Sequence, residues 1–296
     1  MSRQGIMQPH SFSEKRVLSW KERHVIYQPK VNGERCRALK ANGEVVLFSS
    51  EGNIITSVPH IEEALNKRMQ NGHTWDGELY AHGMLLQDIR SIVSRTQGLH
   101  PDYEKMQYWV FDMLTASKET CLHRLSNLID YFFTPPYDST ILQRVSTGID
   151  TPQAFPAYLK EYINEGFEGI IVRNPSGFYE PTKSYNILKF KPKAEDYYRI
   201  TGVFEAVSKW GEPKSTLGGL YLEDASGNSF KCGAGSLTHA ERKRYWEIAH
   251  ESPQDLYGSY ALLEYPEKSR DNIPLRATLK KIVTTIPEGA EDAGKY

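Results

Sequence analysis

Strand-like and helix-like runs of apolar and polar positions follow one another along the chain up to Pro192. Two Asn-Gly pairs, Asn32-Gly33 and Asn42-Gly43, lie between β-prone runs, a pattern that predicts a meander with tight hairpin turns. Lys30 is then expected at a strand end. Further strands are predicted at residues 74–83, 106–114, 169–175 and 186–192, and helices at residues 59–70, 86–95, 119–133 and 151–165.

The predicted helix at residues 151–165 begins with a favourable N-terminal pair. Thr151 is expected to cap the helix and Pro152 to occupy its first helical position. Four large apolar side chains share one face of this helix and are expected in the core: Phe155, Tyr158, Leu159 and Tyr162.

After Pro192 the pattern changes to five short β-prone runs, with one amphipathic helix at residues 237–250 between the third and fourth. The five runs are residues 197–207, 218–224, 228–234, 257–265 and 275–283. This order predicts a small Greek-key barrel of the OB type. We therefore predict an α+β chain: a domain of antiparallel sheets with flanking helices at residues 1–192, then an all-β OB-fold domain at residues 193–296 with a frayed tail.

Composition narrows the possible functions. With 296 residues and 39% hydrophobic content, the chain can bury one large core or two modest ones. A net charge of -1 gives no global basic signature, so any nucleic-acid surface must be local. No apolar run approaches the roughly 20 residues of a membrane span, and the N-terminus lacks a secretory signal, so we expect a cytoplasmic protein without a membrane partner. Three separated cysteines indicate reduced thiols and exclude a four-cysteine zinc site.

Several charged residues occupy positions that folding alone does not explain. Lys30 precedes the predicted turn, and Arg35 follows it in the sequence KVNGER. Glu168 directly precedes an apolar strand, where a carboxylate risks burial unless it meets a cation. Lys189 and Lys191 share one strand face, and such close like charges repel each other unless an anion such as a phosphate lies between them.

Five segments in order carry a resemblance that no single segment would support: KVNGER, DGELYA, YWVFD, EGIIVR and LKFKP. The series resembles the covalent nucleotidyltransferase superfamily of DNA ligases, RNA ligases and messenger RNA capping enzymes. Within that superfamily, residues 81–95 and 215–246 resemble compact ATP-dependent DNA ligases of the viral and phage type. The resemblance implies a nucleotidyltransferase (adenylation) domain followed by an OB-fold domain.

The resemblance also implies a reaction and its residues. Lys30 would attack the α-phosphate of ATP and carry AMP as a lysyl-AMP, which requires a neutral amine. Lys189 and Lys191 would contact the α-phosphate and neutralise the charge that develops there. Glu168 and Glu78 would hold Mg²⁺, or Mn²⁺ in its place, and Glu78 would otherwise accept hydrogen bonds from the ribose.

The remaining implied roles concern recognition. Phe111 would stack on the adenine, and Gln28 and Pro29 would complete the adenine pocket. Arg35 would grip the nucleotide or the phosphate of the nick, with Arg173 and Lys280 as further nucleic-acid contacts. The expected partner is nicked duplex DNA with a 5′-phosphate and a 3′-hydroxyl, bound by a monomer in the cytoplasm, or in the host cytoplasm if the chain is phage-encoded.

Three departures from the family pattern qualify the assignment. Asn32 replaces the usual aspartate of the first motif, and Ser49-Ser50 replaces a serine-arginine pair whose arginine would clamp the 5′-phosphate. The last barrel motif is matched loosely by residues 274–281, where Arg276, Lys280 or Lys281 would orient the pyrophosphate. The alternatives are an RNA ligase or an RNA-capping guanylyltransferase and, in a different class, a nonenzymatic OB-fold nucleic-acid-binding protein.

Overall fold

The computed structural model describes residues 5–134 and 138–287, and the chain divides into two compact units, Met1–Lys191 and Pro192–Tyr296. The helices of the first unit are α1 (Glu14–Ser19), α2 (Pro59–Arg68), α3 (Leu86–Val93), α4 (Cys121–Phe133) and α5 (Phe155–Asn164). Its strands are β1 (Gln8–Ser11), β2 (Val25–Lys30), β3 (Glu34–Ala41), β4 (Glu44–Ser49), β5 (Thr74–Tyr80), β6 (Gln107–Leu114), β7 (Leu142–Arg144), β8 (Gly148–Asp150), β9 (Gly169–Arg173) and β10 (Lys183–Phe190).

These ten strands form two five-stranded sheets, in the orders β1-β10-β9-β2-β8 and β4-β3-β5-β6-β7. Asn42-Gly43 joins β3 to β4 as a hairpin, as predicted, with φ angles of 53° and 86°. The hairpin predicted at Asn32-Gly33 is wrong, because β2 and β3 belong to different sheets. Gly33 is required for close approach: a Cβ there would lie 2.3 Å from the carbonyl oxygen of Leu79.

A large apolar core packs β3–β6 against α2, α3 and α4, and a smaller one lies beneath the other sheet. In the smaller core, Tyr162 is buried and packs with the partly buried Phe155, Tyr158 and Leu159, which confirms the predicted helix face. The predicted start of that helix is wrong. Residues 152–154 form a separate 3₁₀ turn and α5 begins at Phe155, without a side-chain cap.

The second unit contains β11 (Ala194–Val207), β12 (Pro213–Glu223), β13 (Ser229–Gly233), α6 (His239–Glu251), β14 (Tyr260–Tyr265), β15 (Glu267–Lys268), β16 (Pro274–Leu275) and β17 (Thr278–Val283). Its main sheet has the order β13-β12-β11-β14-β17. The five main strands and a helix between the third and fourth agree with the predicted OB-type order. Within the described residues no ladder joins β13 to β17, although the Ser236 hydroxyl near one edge donates to the Leu279 carbonyl on the other.

The helix of this unit begins with a capping box, in which Thr238 and Glu241 bond each other's backbone N–H groups. Residues 288–296, most of the tail expected to fray, lie outside the described residues. Across the described ranges, no helix combines the length and apolar character that a bilayer span requires.

Candidate active site

Two lysines share one carboxylate where β2 and β10 end and β9 begins. Lys30 closes β2 opposite Gly169, and its carbonyl accepts a hydrogen bond of 3.0 Å from the Glu168 backbone N–H. Gly169 allows β10 to approach, since a Cβ there would lie 2.2 Å from the Phe190 carbonyl oxygen. Glu168 Oε2 consequently accepts from Lys30 Nζ, and Glu168 Oε1 accepts from Lys191 Nζ at 2.5 Å.

The electrostatics of this cluster favour an ionised Glu168. Burial alone would raise the pKa of Glu168, whose side chain is 9% exposed, but Lys30 and Lys191 outweigh burial and hold that pKa below its usual value. The carboxylate is therefore charged at neutral pH and fixes the Lys30 amine at the strand end. The sequence predicted that a carboxylate at residue 168 would need a cation, and the structure provides two, Lys30 and Lys191.

Lys30 opens into a cavity between the two sheets of the first unit. The cavity wall includes most residues assigned to nucleotide binding: Gln28, Pro29, Lys30, Arg35, Glu78, Phe111 and Lys189. Glu168 and Lys191 do not line this cavity, and they join it only through the contact between Glu168 and the wall residue Lys30. The structure thus brings together side chains that lie up to 161 positions apart in the sequence, from Gln28 to Lys189.

Glu78 lies in this cavity wall and carries a charge that the surroundings do not fully neutralise. Burial raises the pKa of Glu78 to about 7, although Arg35 and Lys30 oppose the rise. A half-buried carboxylate with a raised pKa weakens the fold whenever it is ionised. Such a residue is typical of a binding site rather than of a stabilising contact.

Glu78→Gln is expected to stabilise the ligand-free chain at about pH 8 and to leave stability unchanged below about pH 4. The folded pKa of Glu78 lies above its unfolded value, so wild-type stability falls as pH rises through the window between the two. We expect a gain of roughly 1–3 kcal/mol in the free energy of unfolding at the higher pH. Urea unfolding at both pH values measures it, with the exposed Glu63→Gln as the matched control.

A constant difference between Glu78→Gln and wild type at every pH would contradict this account of Glu78. So would an equal stabilisation by Glu63→Gln, because the Glu63 side chain is 70% exposed and lies in a surface pair with Lys67.

Arg35 is held by a carboxylate of its own. Its Nε and Nη2 donate to Asp76 at 2.7 and 2.6 Å, and Asp76 also accepts from the Tyr179 hydroxyl at 2.5 Å. The Arg35 guanidinium carbon lies 4.5 Å from the centroid of the Phe111 ring. Arg35 therefore orders the cavity wall, and its contact with a phosphate stays a prediction.

The prediction that Arg173 contacts nucleic acid is wrong. The residue is 2% exposed, and its guanidinium donates to Asp112, to the Phe111 carbonyl and to Gln28 Oε1. Alternation along β9 turns this side chain into the protein, so it cannot meet a DNA backbone. Arg173 instead fixes Gln28, which is itself 2% exposed, in the cavity wall.

Asp112 is the centre of a buried network that the sequence analysis missed. Arg124 Nε and Nη2 donate to its two oxygens at 2.8 and 3.1 Å, and Arg173 shares one of them. Burial would raise the pKa of Asp112, but Arg173 and Arg124 hold it below its usual value. The sequence did contain a signal for this network. Asp112 lies within an apolar strand, where a carboxylate requires a cation for the same reason as Glu168 does.

Lys280 lies in β17 of the second unit, with a 42% exposed side chain whose Nζ is 3.5 Å from Glu264 Oε2. That exposure is compatible with a nucleic-acid contact, which remains a prediction. Arg276, from the loosely matched motif, pairs with Glu267 in the same unit.

Known proteins resemble this chain over most of its length. A family model described as ATP dependent DNA ligase domain matches residues 7–191. The DNA ligase of African swine fever virus is 26% identical over 267 residues, covering 85% of this chain and 62% of the viral protein. The DNA ligase of Methanococcus maripaludis is 25% identical over 291 residues, covering 88% of this chain and 49% of that protein. The chain thus spans less than two thirds of the length of these relatives.

A solved structure of a Lig E DNA ligase, described as DNA binding with a minimal scaffold, has a TM-score of 0.68 to this chain. The two are 21% identical, and the match covers 94% of this chain and 98% of that one. This likeness shows the fold and confirms the predicted fold class. Neither the RNA-directed alternatives nor the nonenzymatic OB-fold alternative is favoured by these matches.

Proposed function

This chain belongs to the ATP-dependent DNA ligase family, and we propose that it seals nicks between a 3′-hydroxyl and a 5′-phosphate in duplex DNA. One observation carries the proposal: Lys30 shares the Glu168 carboxylate with Lys191, and Lys30 also lines a cavity together with Glu78 and Lys189. An ordinary surface ion pair would not require two lysines on one carboxylate beside a cavity. A covalent nucleotidyl transfer needs an oriented amine, a proton acceptor and cations beside the phosphate.

In the first step, Lys30 Nζ attacks the α-phosphorus of ATP. The new N–P bond forms as the bond to the β-phosphate breaks, and pyrophosphate leaves with the electron pair. Glu168 Oε2 orients the amine and is placed to accept its proton. Lys189 and Lys191 stabilise the negative charge on the α-phosphate oxygens.

The next two steps use the stored adenylate. An oxygen of the DNA 5′-phosphate attacks the α-phosphorus, and the bond to Lys30 breaks. The 3′-hydroxyl then attacks the 5′-phosphorus, and AMP leaves with the electron pair of its bond. Attachment of AMP to the Lys30 nitrogen also removes the positive charge of Lys30, so Glu168 loses one of its two cationic partners between the first step and the second.

Glu78 in the cavity wall and Glu168 beside Lys30 fit a divalent cation only in combination with substrate oxygens. Among residues 5–134 and 138–287, no cluster of three or more His, Cys, Asp or Glu side chains could hold a metal. Mg²⁺ is commonly held by one or two carboxylates plus phosphates and water, and the raised pKa of Glu78 indicates a carboxylate short of positive charge. We assign Glu78 and Glu168 to Mg²⁺, with Mn²⁺ as the substitute; the ion would supply Lewis-acid stabilisation of phosphate charge.

Adenine recognition is assigned to the part of the wall formed by Gln28, Pro29 and Phe111. Because Arg173 fixes the Gln28 side chain, the base would meet a rigid surface. Residues 1–192 would form the adenylation domain and residues 193–296 the OB-fold domain, joined by a hinge at residues 192–196. Lys280 in the second domain and Arg35 in the first are proposed DNA contacts of a cytoplasmic monomer.

Sealing of defined nicks tests the function. A labelled duplex with a 5′-phosphate at a DNA–DNA nick should be joined only when ATP and Mg²⁺ are present, and a 5′-hydroxyl nick should not. Nicks with RNA on either side identify the preferred strands. Sealing of RNA ends alone, or sealing supported by NAD and not by ATP, would overturn the proposal.

Sealing is also expected to depend steeply on salt. The net charge of -1 leaves local phosphate contacts to hold the duplex, and each neutralised phosphate releases counterions. Between about 50 and 200 mM salt we expect DNA affinity to fall by about a thousandfold. Adenylation of the protein in the absence of DNA is the control. A flat response of DNA affinity would contradict this account.

A further inference from the structure

The cavity contains a cation that the proposed mechanism does not yet use. Arg90 lies on α3 and lines the cavity together with Lys30 and Ser50. Ile89, Ile92 and Val93 on the same helix are buried, so α3 is anchored to the core. The position from which Arg90 enters the cavity wall is therefore fixed by packing.

The Arg90 side chain is bound weakly enough to change partners. It is 62% exposed, and its Nε donates to Glu34 Oε1 at 2.5 Å. The Glu34 side chain is 33% exposed, and pairs at such exposure contribute little to stability. Exchanging the Glu34 carboxylate for a phosphate would cost little, and a guanidinium binds phosphate oxygens bidentately.

Three neighbouring cations, Arg35, Lys30 and Lys191, are bound by more buried carboxylates. Asp76 binds Arg35 through two hydrogen bonds and is completely buried, and Glu168 binds both Lys30 and Lys191. Ser50, where the family pattern has an arginine, offers the cavity a hydroxyl and no charge. The cavity that Ser50 lines after the end of β4 thus receives a guanidinium from α3.

We propose that Arg90 binds the 5′-phosphate of the nick and selects for it when the adenylate leaves Lys30. The inference rests on the proposed function, which it deepens by naming a residue that recognises the substrate phosphate. The phosphates of ATP share the same chemistry, so the experiment separates these two sources.

The test begins from protein already carrying lysyl-AMP, so that loading is complete before DNA is added. Binding and single-turnover transfer are measured on matched nicks with a 5′-phosphate or a 5′-hydroxyl. Arg90→Ala should weaken binding of the phosphorylated nick by about ten- to a hundredfold and slow transfer, with binding of the hydroxyl nick unchanged. Arg95→Ala, an exposed arginine just beyond α3, is the matched control and should behave as wild type.

A second variant keeps the inference testable if Arg90→Ala perturbs the fold. Ser50→Arg in the Arg90→Ala background should restore discrimination between the two nicks, because a guanidinium again enters the cavity. Glu34→Gln should tighten binding of the phosphorylated nick, since it removes the competing carboxylate. Thermal unfolding of each variant is compared with that of Arg95→Ala.

The outcomes separate the two levels of inference. Undiminished discrimination by Arg90→Ala would overturn the role of Arg90 while lysyl-AMP formation by wild type still supports the ligase. Slower loading from ATP with discrimination intact would assign Arg90 to the ATP phosphates and likewise overturn it. Failure of the wild-type chain to form lysyl-AMP at all would overturn the proposed function itself.

Discussion

Replacing Lys30 by alanine should reduce ATP-dependent sealing of a nicked duplex by about a thousandfold or more, since the proposed nucleophile is lost. The same variant should still join a nick whose 5′-phosphate already carries AMP, because that last step uses the 3′-hydroxyl as nucleophile. Single-turnover sealing of the two substrates measures both. Lys67→Ala, an exposed lysine paired with Glu63 on α2, is the matched control and should seal both as wild type does.

The contrast between the two substrates is what identifies Lys30 as the adenylate carrier. Equal loss of sealing on both substrates would indicate that Lys30 acts in DNA binding or in folding. Normal ATP-dependent sealing by Lys30→Ala would show that another residue carries the adenylate.

The second large effect is expected on stability. Asp112→Asn should lower the free energy of unfolding by about 3–5 kcal/mol, because it leaves two buried guanidinium groups without their carboxylate. Asp112, Arg124 and Arg173 are each at most 2% exposed, so water cannot replace the lost charge. Urea unfolding at neutral pH measures the loss.

The pH dependence of that loss follows from the pKa of Asp112. Arg173 and Arg124 hold the folded pKa below its unfolded value, so the stabilisation is present above the unfolded pKa and is lost as pH falls through the folded one. The difference between Asp112→Asn and wild type should therefore shrink in acid. Asp102→Asn, a surface change at a pair with Lys105, should cost less than about 1 kcal/mol. A similar cost for both variants would contradict the importance of burial.

Local sequence patterns predicted several residues of the site, but they did not predict which strands pair with each other. The strand end at Lys30 and the need of Glu168 for a cation could be predicted, since both follow from short-range alternation and from the cost of burying a charge. The partner strand of β2 could not, because β9 lies more than a hundred residues away and an Asn-Gly pair permits either a hairpin or a crossing. At Gly33 the chain crosses to the other sheet and passes so close to the Leu79 carbonyl that a side chain there would clash.

The sequence also did not predict which charged residues are buried. Arg173 follows an apolar run as exposed arginines often do, and only the arrival of Asp112 from β6 and Arg124 from α4 makes it a core residue. Arg90 shows the converse case. The sequence predicted only a helix at residues 86–95 and gave Arg90 no role, because the packing of α3 beside β3, which brings Arg90 to the cavity of Lys30, cannot be read from local periodicity.

Covalent labelling of the isolated protein tests the central claim most directly. The chain is incubated with Mg²⁺ and ATP labelled in the α-phosphate, without DNA, and is then digested and analysed by mass spectrometry. We predict one adenylate per chain, on the peptide that contains Lys30, with release of pyrophosphate and with no label from GTP or NAD. Absence of a covalent adenylate, or its attachment to a residue other than Lys30, would contradict the account.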